Sequence, residues 1–132
     1  MDSGLLDSLA PSVRSAENPV RVWLLLGKFG GDNAQVRGLG EHLTRRFGWT
    51  CETRSLRFHA ERKVRLDTLP DAIDRARSDP LDAPFPDVVV SCSRFYGVAA
   101  AWLKRRASRP MVHVHLGRIA APMGSFDLLA AT

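Results

Sequence analysis

From Val20 onward the hydrophobic positions follow two alternating rhythms. Val20-Arg21-Val22-Trp23-Leu24-Leu25-Leu26 is nearly continuous in apolar residues, the mark of a strand buried on both faces. Gly27-Lys28-Phe29-Gly30-Gly31-Asp32 breaks it. Val36, Leu39, Leu43 and Phe47 then step by three or four and predict a helix over Asn33–Phe47, capped by Asp32 or Asn33. Gly38 and Gly40 lie inside it, each costing about 1 kcal/mol against Ala, which close helix-on-strand packing would offset. Gly48 stops it. Thr50–Leu56 alternates and predicts a second strand. Thr68-Leu69-Pro70-Asp71 resembles a capping box with an early proline and predicts a helix over Leu69–Ser78, with Leu69, Ile73 and Ala76 inward. Asp79–Pro86, with its prolines, is a loop. Pro86–Ser91 is the clearest strand. Ser91–Gly97 reads as a turn and Val98–Ala107 as a helix ending in Lys104, Arg105 and Arg106, cations that suit a helix C-terminus. Met111–Leu116 and Phe126–Ala131 complete the set as strands, with the loop Gly117–Ser125 between them.

Strands alternating with helices imply a parallel sheet covered on both faces. The expected fold is therefore a three-layer, Rossmann-like α/β domain over residues 20–132, with a mostly parallel five-stranded sheet in the order 3-2-1-4-5. Met1–Pro19 reads as a flexible leader or short helix. The last strand has no helix after it, so the domain reads as truncated at its C-terminus.

Composition narrows the class. The 132 residues are 45% hydrophobic and 25% charged, ordinary for one globular domain. Two cysteines do not make a disulfide scaffold. No apolar run approaches the roughly 20 residues of a bilayer span, and the first residues lack the charged and apolar regions of a signal peptide. A cytoplasmic location, peripheral to membranes at most, is the expectation. The net charge of +5 suggests an anionic partner.

Ligands of open α/β sheets bind beyond the carboxyl ends of the strands. The predicted loops there carry Lys28, Arg57, Arg62, Lys63, Arg65, Arg94 and Arg118 against Asp32 and Glu61, whereas the Asp79–Pro86 loop opposite has two acids and no cation. Positive charge is thus expected where a ligand would bind; a solvated basic face is the competing reading. Gly27-Lys28-Phe29-Gly30-Gly31-Asp32-Asn33 is neither a Walker A loop nor GxGxxG. It suits backbone contact with a phosphate or a tight turn needing positive φ. Ser55 and Leu56 end the second strand where a ribose contact would need an acid, so NAD is not expected. In Ser91-Cys92-Ser93-Arg94, Arg94 is the candidate anion contact. A phosphatase-type loop would end in arginine where Val98 stands, so Cys92 is not read as catalytic. His113 and His115 share one strand face without a nearby third ligand and are read as packed histidines; no metal or cofactor is expected.

The segments Trp23–Gln35, Pro86–Arg94, Leu116-Gly117-Arg118 and Phe126–Thr132 together resemble the mitochondrial-fission Elm-type family, which has many bacterial members. The family pattern has glycine after the Ser-Cys pair, where this chain has Ser93. The resemblance implies half of a glycosyltransferase-B-like architecture, similar to the N-terminal, acceptor-side domain of the MurG-type glycosyltransferases, with a missing C-terminal domain holding the nucleotide-sugar. Ligand-binding candidates are then Lys28, Gly30, Gly31, Asp32, Asn33, Ser91, Ser93, Arg94, Gly117 and Arg118, meeting a phosphorylated or lipid-linked acceptor. No catalytic residue is assigned, and this chain alone is expected to be inactive. The alternative is a non-catalytic adaptor that docks on a protein partner or an anionic membrane surface. Nucleic acid is not an expected partner, and the exposed last strand would permit a dimer.

Overall fold

The computed structural model describes residues 19–59 and 64–117, and the backbone of 128–130. Its elements are β1 (Arg21–Leu26), α1 (Gly30–Phe47), β2 (Thr50–Ser55), α2 (Leu69–Ala72), a 3-10 turn (Arg75–Arg77), β3 (Val88–Cys92), α3 (Arg94–Arg106), β4 (Val112–Leu116) and the three-residue β5 (Leu128–Ala130). All strand pairings are parallel.

The order is β2-β1-β3-β4, with β5 adding a short rung beside β4. This corrects the expected order 3-2-1-4-5; among the described residues four strands have five or six residues each, and the expected fifth is described only at Leu128–Ala130. The observed order is the other common doubly wound one. The reason lies in side-chain polarity. All of β3, Val-Val-Val-Ser-Cys, is buried, so it needs strands on both sides and layers on both faces. No residue of β2 is buried, and its first residue and Thr53 are exposed, so it tolerates the edge. The expected order would have put the polar strand inside and the apolar one outside.

Two clusters of buried residues, one on each face, make the core. Val22, Leu24, Val88, Val90 and Val114 meet Val36, Leu39 and Leu43 of α1. Trp23, Leu25 and Val89 meet Ala99, Ala100 and Leu103 of α3. Gly40 is where α1 comes closest: a Cβ there would sit 2.5 Å from Leu24 Cδ1, whereas one at Gly38 would meet nothing.

Three local expectations change. Helix α1 starts at Gly30, earlier than Asn33, because the Asn33 side chain is drawn back to β1. The Leu69–Ser78 helix breaks at Ile73, which pairs as an isolated bridge with Phe58; the Asp74 side chain then caps the 3-10 turn by accepting from the Ala76 N–H, and Ala76 is exposed. Helix α3 begins at Arg94, because Ser93 alone makes the turn out of β3. The Phe126–Ala131 strand is described only at Leu128–Ala130, and the leader and Arg118 lie outside the described residues.

Candidate functional site

Helix α1 leaves β1 toward one neighbour and α3 leaves β3 toward the other, so β1 and β3 flank the point where the sheet's winding reverses. A shallow cleft lies there, too narrow to admit a water molecule, lined by Gly27, Phe29, Asp32, Asn33, Cys92 and Tyr96 among others. Any ligand would rest over this cleft and not inside it.

The Gly-rich turn owes its shape to Asn33 and Tyr96. The Asn33 side-chain carbonyl accepts from the Gly27 N–H and its amide donates to the Gly27 carbonyl, both at 2.8 Å. Gly27, Gly30 and Gly31 all lack positive φ; Gly48 and Gly117 are the described glycines that have it. The expectation of a positive-φ turn is thus replaced by close approach: a Cβ on Gly27 would overlap the Tyr96 ring, with Cε2 at 2.6 Å. Tyr96 is buried, and its hydroxyl donates to the Leu56 carbonyl at 3.1 Å.

Phe29 precedes α1 and Ser93 precedes α3, and neither supplies a side-chain cap. The first N–H groups of a helix have no intrahelical acceptor. Two such helix starts face one edge beside the crevice, with Lys28 and Arg94 exposed next to them. Ser93 is in a costly conformation, φ 69° and ψ 165°, a region occupied almost only by glycine. Its buried Oγ has no hydrogen-bond partner. Asp32 opposes an anion here. It lies against Cys92, whose thiol is pushed up to about 11 by burial first and by the Asp32 carboxylate second. A thiol held neutral is a poor nucleophile.

The structure therefore gathers Lys28, Gly30, Gly31, Asp32, Ser93 and Arg94 at one edge. Asn33 is present, but its side chain is spent on the turn. Gly117 closes β4 at φ 99°. Ser91 does not reach the edge: it is fully buried under α3, its hydroxyl 2.8 Å from both His113 Nε2 and His115 Nδ1. His113 and His115 are likewise buried, and Gly97 admits the ring: a Cβ there would lie 2.9 Å from His115 Cε1. Sequence reasoning gave no role to Phe29, the one large apolar side chain among the described residues that is exposed, at 49%. The Lys28 ammonium lies 5.2 Å from its ring centre. Its place in a glycine-flanked loop was the available signal.

Positive charge is not confined to the carboxyl edge. Helices α1 and α3 both end at the amino edge and carry Arg45, Arg46, Lys104, Arg105 and Arg106 there. Counting loops alone omitted the helix ends.

The fold and this edge define a doubly wound α/β domain with two helix starts lacking side-chain caps at its reversal point. Comparison with protein families then gives a match to the mitochondrial fission ELM1 family over residues 30–132. The chain belongs to that family. Searches of curated proteins and of solved structures returned no match. No helix among the described residues is long and apolar enough to cross a membrane.

Proposed function

We propose that this chain is the acceptor-side, Rossmann-like domain of a glycosyltransferase-B-like member of its family, and that it binds an anionic or phosphorylated ligand at the carboxyl edge of the sheet. The observation that carries the reading is the convergence of two helix N-termini without side-chain caps, at Phe29 and Ser93, on the point where the winding reverses. Helix starts of this kind stabilise anions through free N–H groups and the helix dipole. Lys28 and Arg94 add full charges. Asp32 lowers affinity and favours a ligand that also brings a donor, such as a sugar hydroxyl.

The test is an amide NMR titration with UDP, sugar phosphates and inorganic phosphate. Saturable shifts are expected at Gly27–Asn33 and Ser93–Gly97. A charge-assisted contact contributes about 1.5–3 kcal/mol, so Arg94→Ala weakens binding about tenfold or more, and Asp32→Asn strengthens it. Shifts that do not saturate, or that fall elsewhere, overturn the reading.

A further inference from the structure

We propose that the amino edge of the sheet, opposite the ligand edge, is a docking surface for an anionic lipid bilayer. The topology builds it. Thr50 pairs with Arg21 and Val112 with Val88, so the chain returning from α1 and from α3 re-enters the sheet at one level. The two helix C-termini therefore arrive at the same edge, on opposite faces.

Each end carries adjacent arginines: Arg45 and Arg46 on α1, Arg105 and Arg106 on α3, all exposed. Arg109 follows, also exposed. Two carboxylates of this edge are already engaged, while Asp82, exposed in the same hollow as Trp102, offsets one cation. Asp87 is buried, accepting the Arg21 N–H at 2.9 Å and Arg109 at 3.4 Å. Glu52 pairs with Arg21 and Arg54. No Asp or Glu occurs from Val88 to Phe126. Arg45, Arg105 and Arg106 have no ion pair among the described residues, so the edge is left with positive charge.

Each end also sets a cation on a half-buried aromatic ring. The Arg46 guanidinium lies 5.5 Å from the Phe47 ring centre and that of Arg106 lies 4.9 Å from Trp102. Aromatic rings beside cations suit the lipid headgroup layer, where one end of a side chain is apolar and the other wet. Arg45 also lines an open hollow between α1 and β2, but the cations as a set flank a broad edge from two faces, which fits a plane better than a nucleic-acid strand. The inference goes beyond the proposed function and does not rest on it. It bears on the ligand: strands of five or six residues hold the carboxyl edge roughly 17–20 Å from such a surface. The ligand would then be a water-soluble anion.

The test is cosedimentation of the full chain with vesicles of phosphatidylcholine alone or mixed with phosphatidylglycerol, at low and high salt. Binding is expected only to the anionic vesicles and is lost at high salt. Each arginine near such a surface contributes roughly a fivefold gain in partitioning. Arg105→Ala with Arg106→Ala should thus lower it about 25-fold, and Arg45→Ala with Arg46→Ala similarly. The paired Arg→Lys variants keep binding, separating charge from folding, and thermal melts by circular dichroism confirm the fold of each. Lys28→Ala with Arg94→Ala removes equal charge from the other edge and leaves vesicle binding within about twofold. It is expected to abolish phosphate binding, so the two proposals fail separately. Equal binding to neutral vesicles, indifference to the amino-edge variants, or retention on heparin without vesicle binding would each overturn the lipid assignment.

Discussion

Replacing Gly27 by Ala tests how the candidate edge is built. The added methyl would overlap the Tyr96 ring, with Cε2 at 2.6 Å from the ideal Cβ position. Tyr96 lies against Phe58 at 5.4 Å between ring centres and donates to the Leu56 carbonyl, so the ring cannot yield without losing packing and a buried hydrogen bond. Overpacking costs about 1–3 kcal/mol and a hydrogen bond about 0.5–1.5 kcal/mol. Together the loss is about 1.5–4.5 kcal/mol, read from urea unfolding. Gly30→Ala and Gly31→Ala are the controls, since a Cβ at either meets nothing within 4 Å; both should be neutral or gain a few tenths of a kcal/mol. In a Tyr96→Ala background the added methyl has room, so the cost of Gly27→Ala should fall by about 1.5 kcal/mol or more. Equal costs at Gly27 and Gly30, or no coupling to Tyr96, would refute the account of this turn.

Four further outcomes follow from the same geometry. Ser93→Gly removes a strained φ of 69° and an unpartnered buried hydroxyl, so it should stabilise the chain by about 1 kcal/mol or more in a denaturation series. Asn33→Ala loses both bonds to Gly27 and should cost about 1–3 kcal/mol, with Gly27 amide exchange faster than in the parent. Ser91→Ala takes the shared hydroxyl from two buried imidazoles and should cost about 1–3 kcal/mol, visible as a lower midpoint. The Cys92 thiol, raised from 9.0 to about 11 in the folded chain, should resist iodoacetamide at neutral pH until the chain unfolds. Because its folded value is raised, its contribution to stability is intact below about pH 9 and declines as pH rises toward 11, the unfolded chain ionising first; a Cys92→Ala variant should lack that decline.

Periodicity made β1, β3, β4 and the body of α1 legible, because long apolar runs and a three-to-four step are set locally. The Gly-rich loop was legible as the turn after the first strand for the same reason. Its working parts were not: Asn33 and Tyr96 shape it through contacts with Gly27, and Tyr96 is distant in sequence. Ser91 reads like an edge residue by its position at a strand end, yet strand alternation turns it under α3 toward His113 and His115.

Residue order alone thus determined an α/β domain with helices between strands, a Gly-rich turn after the first strand, and a basic character. Only the tertiary structure decided which strand stands at the edge, where α3 begins, and that cations gather on two edges. Strand order depends on which faces find cover, and β3 is buried throughout while β2 is not. Helix boundaries depended on long-range pairing, as at Ile73 with Phe58. The distribution of charge depended on helix direction, because a helix that follows a parallel strand must carry its C-terminal arginines back to the opposite edge.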